Sequence, residues 1–126
     1  MIATALGIVT EQLKKIDVPY EFMRYNSTVN DRYWVGEYTE TSTDTEDGYE
    51  EGSFLLTGTT RDSWSVLMDD RAKIKDQFPK EGGLRIPTDN GVVVFFYDNS
   101  FPVDTGEANL KRIQINLTIK MWKGMK

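Results

Sequence analysis

Apolar residues near the start of the chain follow steps of four and three residues, a spacing that stacks them on one face of a helix. These residues are Ile2, Leu6, Val9, Leu13 and Ile16. Asp17 and Pro19 end the pattern. No basic region precedes the apolar residues, and charged residues arrive early, so we expect a packed helix here and not an export signal.

A second helical pattern begins after Asp62 or Ser63, either of which suits the N-cap position. Pro79 ends the pattern, because proline cannot continue a helix. The stripe that should face the sheet consists of Trp64, Leu67, Met68, Arg71, Ile74 and Phe78. Arg71 can lie within this stripe because its aliphatic stem packs against apolar neighbours.

Strand patterns fill the rest of the chain. Residues 110–122 alternate cleanly, so that Ile113 and its alternate neighbours point one way while Arg112 and its own point the other. Residues 92–97 are apolar throughout and predict a strand buried on both faces. The other predicted strands are 20–25 and 33–40, paired as a hairpin, and 49–61, with a short extended piece at 84–86 and a loop at 98–109.

These elements predict a single α+β domain over residues 1–126, with a mainly antiparallel sheet of about five strands and two helices packed on one face. Two helices cover one sheet face, yet large side chains lie on both. We therefore expect another copy of the chain, or a different subunit, to cover the second face or an edge. The alternative is a hairpin folded back over the sheet. The candidate contact residues are Trp34, Tyr38, Phe95, Tyr97, Lys120, Trp122 and Lys123.

The net charge of −5 is divided unevenly along the chain. Residues 37–51 hold seven acids and no Lys or Arg, whereas residues 108–126 hold five basic residues and no acid. Such a pattern can orient partners, and we predict that the acidic segment faces a lumen or a partner. The basic end could meet the acidic segment of the next subunit in a head-to-tail ring. The candidate acids are Glu40, Asp44, Glu46, Asp47, Glu50 and Glu51.

The chain contains no Cys and no His. Disulfides, thiolate nucleophiles, Cys-ligated zinc and Ser–His–Asp catalysis are thereby excluded within one chain. Asp69 and Asp70 are adjacent on a helix, point about 100° apart and do not converge on a substrate. Residues 44–48 lack the ligand spacing of a calcium loop. We expect no catalytic site, metal or cofactor.

Nucleic acid is the remaining ligand class that the residues raise. Arg112, Lys120 and Trp122 share one face of the last predicted strand, where a basic and aromatic surface could contact phosphates and bases. The isoelectric point of about 4.7 is far below that of typical nucleic-acid-binding domains. We predict no specific nucleic-acid binding, and no segment long enough to span a membrane.

The order of these features resembles the tail terminator proteins of long-tailed bacteriophages, also called tail completion or tail-to-head joining proteins. An amphipathic helix, aromatic strands, a polar excursion, a second helix and a long alternating strand follow one another. The residues that carry the resemblance are Val18, Pro19, Tyr20, Phe54, Leu55, Leu56, Gly58, Leu67 and Ile74.

The resemblance implies a structural protein of the virion, assembled in the host cytoplasm. Members form a hexameric ring that caps the tail tube, ends its polymerisation and joins the head connector, while DNA passes through an acidic lumen. Three alternatives stay open. The first is another phage connector, such as a head-completion or tube protein. The second is a small α+β binder or enzyme with a pocket lined by Trp64, Phe95 and Tyr97. The third is a host-directed phage inhibitor.

Overall fold

The computed structural model of the chain describes residues 2–25, 31–42, 49–89 and 91–123. Two helices and six strands occupy most of these residues, in the order predicted for an α+β fold. The elements are α1 (Ile2–Lys15), β1 (Tyr20–Phe22), β2 (Arg32–Ser42), β3 (Tyr49–Thr60), α2 (Trp64–Gln77), β4 (Leu84–Thr88), β5 (Gly91–Val103) and β6 (Lys111–Lys123).

The six strands form one curled sheet with the order β1-β2-β3-β6-β5-β4. β1 runs parallel to β2, and all other neighbours are antiparallel. The central pair, β3 and β6, stays in register from Tyr49 opposite Trp122 to Thr60 opposite Lys111. This pair fixes which side chains share a face along the whole length of the sheet.

Three sequence predictions about the sheet are wrong in detail. The sheet has six strands, because 84–88 pairs fully with β5. The predicted 20–25 and 33–40 hairpin is a parallel pair, in which Tyr20 lies beside Trp34 and packs towards Phe54, their ring centroids 6.3 Å apart. The predicted loop at 98–109 begins as strand, because a register shift between Tyr97 and Asn99 lets β5 continue as far as Val103.

The core lies between the two helices and one face of the sheet. Alternate residues of β6 face it, as the sequence pattern predicts, and they pack with alternate residues of β3 and β5. In α1 the buried stripe contains Val9 and Leu13 as predicted, but Ala5 is fully buried in place of the predicted Leu6. The buried side chains of the two helices are Ala5, Val9, Gln12, Leu13, Leu67, Asp70 and Ile74. The Gln77 side-chain amide donates to Gln12 and joins the helices.

The face of α2 that meets the sheet is only partly the predicted apolar stripe, since Leu67, Ile74 and Phe78 are buried as predicted and two other members are not. Trp64 is 41% exposed and Met68 38%, whereas Asp70 is only 1% exposed. Its carboxylate accepts hydrogen bonds from Arg32 Nε at 2.5 Å and from Trp34 Nε1 at 2.8 Å. The bond to Asp70 raises the pKa of Arg32 above its usual value. A buried carboxylate with two donors therefore ties α2 to the start of β2.

Candidate assembly surface

The sheet face opposite the helices, called the open face below, is a regular array of half-buried side chains. Even-numbered residues of β6 point to it, and the register places odd-numbered residues of β2 and β3 beside them. Polar side chains in its middle bond to neighbours across the strands. Asn116 Nδ2 donates to Asn99 Oδ1 at 2.8 Å, and Gln114 Nε2 donates to Thr57 Oγ1 at 3.4 Å. The middle of the open face is thus polar and laterally bonded.

One end of the open face is aromatic. The rings of Tyr49 and Trp122 lie 5.0 Å apart between centroids. Lys120 Nζ lies 5.4 Å from the Tyr49 ring and 5.7 Å from the ring of Phe96. All four side chains are half-buried. We call these four residues the aromatic patch. A cation held over two rings on an uncovered sheet face is a surface that a partner can cover at little cost in ordering.

The structure divides the predicted contact residues into two groups. Trp34, Phe95 and Tyr97 are at most 4% exposed and lie in the core beneath the helices, so their prediction as a contact surface is corrected. The reason is register, which turns them towards the helix face. Tyr38 is half-buried and packs against the same core. Lys120 and Trp122 lie on the open face, and β6 ends at Lys123, whose side chain lies outside the described part.

The predicted ligand pocket, lined by Trp64, Phe95 and Tyr97, does not form. Phe95 is fully buried and packs on Phe78 with ring centroids 5.8 Å apart. The Tyr97 hydroxyl is 2.7 Å from that of Ser100. Trp64 is on the exposed side of α2. These three residues therefore do not converge on one cavity.

Two acids of the acidic segment lie at the aromatic end of the sheet. Glu50 is opposite Met121 and Glu51 is opposite Lys120 in the β3–β6 pair, and both glutamates are half-buried. Glu40 belongs to β2, but its side chain is outside the described part, as are residues Asp44, Glu46 and Asp47 altogether. Acids and bases that are far apart in the sequence are therefore neighbours in one chain. A head-to-tail contact through Lys120 and Lys123 stays a prediction.

A groove of about 380 Å³ lies at the opposite end of the same strands. Strand ends build it, with Tyr33 at the start of β2, Thr59 at the end of β3 and Arg112 at the start of β6 in one cross-strand row. Arg61 and Leu110 complete its walls together with Asp31 and Thr60. We call it the arginine groove. Its row is aligned by Arg112 Nε, which donates to Thr59 Oγ1 at 3.2 Å.

The sequence did not predict the hydrogen bonds from Arg32 and Trp34 to Asp70, called the Asp70 clamp below, or the arginine groove. Arg112 was assigned to the correct face of β6, but its nearness to Arg61 depends on strand pairing. Among the described residues, no cluster of three or more acidic side chains is placed to hold a metal ion. In the same residues, no helix has both the length and the apolar character needed to cross a membrane.

Comparison with known proteins gives fold likeness and no sequence family. No family model matches the chain, and no curated protein matches it. A chain of the virion of a native gene transfer agent particle superimposes with a TM-score of 0.69 at 12% identity, covering 92% of both chains. A second solved structure, whose name describes no function, superimposes with a TM-score of 0.68 at 14% identity, covering 92% of this chain and 89% of the other.

Proposed function

We propose that this protein is a structural subunit of a tailed phage or phage-like particle. In this proposal its copies form a ring on the end of the tail tube, end tube polymerisation and join the tail to the head connector. The likeness to a virion chain carries the proposal, because it extends over 92% of both chains. At 12% identity the likeness concerns the fold alone, and the function is our inference from it.

The open face supports self-association. A sheet covered by helices on one face only, with a half-buried aromatic patch on the other, has apolar surface for a neighbour to cover. On this face we retain Trp122 and Lys120 as contact residues, with Lys123 at the same end of the sheet. Tyr38 packs against the core on the other face and is not among them. The partners in this proposal are a second copy, the tube protein and the head connector.

The acidic segment has a separate proposed role. Seven acids within residues 37–51 would either line the lumen of a ring, where they repel DNA so that the genome passes without binding, or meet a basic surface of a partner. In this proposal the protein has no enzymatic activity and needs no cofactor. Its place is in the neck or tail of the virion, after assembly in the host cytoplasm.

Native mass spectrometry and negative-stain electron microscopy of the purified chain test ring formation. We expect a closed ring, with six copies as the specific expectation from the resemblance. A monomer that persists up to high concentration would contradict the proposal. An isologous dimer would contradict the ring while leaving the virion fold intact.

A capping experiment separates a tail terminator from a tube protein or another connector. The purified chain is added to polymerising tail tubes, and tube lengths are measured by electron microscopy. We expect growth to stop and the added protein to sit at one end. Incorporation along the tube would identify a tube subunit instead, and no contact with tubes would favour a head-side connector.

A further inference from the structure

The arginine groove and the acidic segment lie at opposite ends of the same two strands. β2 begins beside the groove at Arg32 and enters the acidic segment at Glu37, and β3 returns from Glu51 to Thr60. β2 has 11 residues. At about 3.3 Å per residue, the two ends are separated by roughly 35 Å. The strand-borne acids Glu37 and Glu51 are four and eight residues from Tyr33 and Thr59, or about 13 Å and 26 Å, so they cannot enter the groove of their own chain.

The groove has the chemistry of a carboxylate site. Arg112 is half-buried, and its Nε donates a hydrogen bond to Thr59 Oγ1. Within the described residues Arg112 makes no ion pair. The planar fork of an arginine can bind a carboxylate through two parallel hydrogen bonds. Arg61 Nη1 is 3.5 Å from Glu107, in an exposed pair that contributes little and exchanges easily.

Acids near the groove already have partners of their own. Asp31 Oδ2 is 3.8 Å from the Arg32 guanidinium. Asp62 Oδ1 accepts a hydrogen bond from the Ser63 backbone at 2.8 Å, at the start of α2. Arg61 is paired with Glu107, and Arg32 is paired with Asp31 and Asp70. Among the described residues, Arg112 is therefore the cation of the groove that has no acidic partner.

We propose that the arginine groove of one copy binds carboxylates of the acidic segment, residues 37–51, of the next copy. This inference rests on the proposed ring function and names the contact that builds the ring. Charge complementarity selects the occupant, because the segment carries seven acids and no base. The aromatic patch flanks the segment through Glu51 and Tyr49, so the same contact would also cover apolar surface.

Such a contact is heterologous, since different surfaces of the two copies meet. A heterologous contact closes into a ring when its rotation permits. Lys120 lies opposite Glu51 within one chain, so it already reduces the local charge of the acidic end.

A charge exchange tests the contact. One variant carries Arg61→Glu and Arg112→Glu, a second carries Asp44→Lys and Glu46→Lys, and an exchange variant carries all four changes. Oligomer mass is measured against protein concentration by native mass spectrometry and sedimentation. We expect each pair of changes to weaken association by about tenfold or more, in a salt-dependent manner, and the exchange variant to recover most of it.

Matched controls reverse charges elsewhere. Lys15→Glu at the end of α1 and Asp76→Lys on α2, both exposed, should leave oligomer mass unchanged. Circular dichroism confirms that each variant is folded. A wild-type ring that all groove variants retain would overturn this inference and leave the proposed function standing. A wild-type chain that is monomeric throughout would overturn both.

Nucleic acid is the competing occupant of a groove with two arginines. Fluorescence anisotropy with a labelled 20-nucleotide single strand measures it directly. We expect no saturable binding at physiological salt. Binding that Arg112→Glu abolishes, with oligomer mass unaffected by the same variant, would overturn the inference in favour of a phosphate site.

Discussion

The indole Nε1 of Trp34 donates to the Asp70 carboxylate at 2.8 Å, and both side chains are almost fully buried. Trp34 is on the core face of β2 and Asp70 is on the inner face of α2. Arg32, two residues before the tryptophan, donates to the same Oδ2 atom. A single carboxylate oxygen therefore fixes the position of α2 over the strand that leads from the arginine groove to the acidic segment.

Removal of the Asp70 carboxylate should destabilise the fold. Asp70→Ala leaves the buried Trp34 indole and the Arg32 guanidinium without their acceptor, and we expect a loss of about 3–5 kcal/mol in the free energy of unfolding. The neighbouring exposed residue provides the control, and Asp69→Ala should change stability by no more than about 0.5 kcal/mol. Urea unfolding measures both. Equal midpoints for the two variants would show that the clamp contributes nothing.

A methyl group at Gly58 should disturb the same clamp from the other side. A Cβ there would lie 2.6 Å from atoms of the Trp34 ring, which cannot move without loss of its bond to Asp70. We expect Gly58→Ala to cost about 1–3 kcal/mol. Gly7→Ala is the matched control, because its Cβ meets nothing within 4 Å in helix α1. That change should stabilise the protein by about 0.5–1 kcal/mol, as measured by thermal unfolding.

Because the Tyr20 phenol is buried, we expect the free energy of unfolding to fall at alkaline pH. Its oxygen is buried without a hydrogen bond of normal geometry among the described residues. Burial raises its pKa well above the ordinary value of 10.0, and the nearby Thr10 side chain offsets only part of that rise. Since the unfolded chain ionises first, the contribution of the neutral phenol is fully present below pH 10 and declines as the pH rises beyond it.

Tyr20→Phe should therefore lose less stability than the wild type between pH 9 and pH 11, although other groups also titrate there. Removal of an unpaired buried hydroxyl should cost little or nothing at pH 7, which serves as the internal reference. The test is the free energy of unfolding of each protein, measured at pH 7 and across the range from pH 9 to pH 11. Parallel pH profiles for the two proteins would contradict a buried neutral phenol.

Trp122 should contribute to association more than to folding. Its ring is half-buried against Tyr49 on the open face, where a neighbouring copy is proposed to cover it. We expect Trp122→Ser to weaken the oligomer by about tenfold or more, as for a central aromatic contact. Met68→Ser, on the exposed side of α2, should leave oligomer mass unchanged. Identical concentration dependence for both variants would exclude the aromatic patch from the interface.

Periodicity predicted the elements whose side chains obey a simple rule. The alternation in β6 and the stripe of Val9 and Leu13 in α1 both follow from one face meeting the core, and both are observed. In α2, Leu67 and Ile74 follow the predicted stripe, but Trp64 and Met68 are exposed. The difference arises because Asp70 is buried through two specific donors, and a polar residue in such a position gives no periodic signal. The predicted antiparallel hairpin of β1 with β2 is wrong, because a strand of three residues does not specify the direction in which it pairs.

The sequence by itself determined the α+β class, the two helices, the polar face of β6, the absence of Cys and His chemistry and the uneven distribution of charge. These properties depend on residue types and on local spacing. Only the tertiary structure decided that Lys120 lies beside Glu51, that Trp34, Phe95 and Tyr97 belong to the core, and that Arg61 and Arg112 share a groove. Those relationships depend on strand register, which brings distant parts of the chain together.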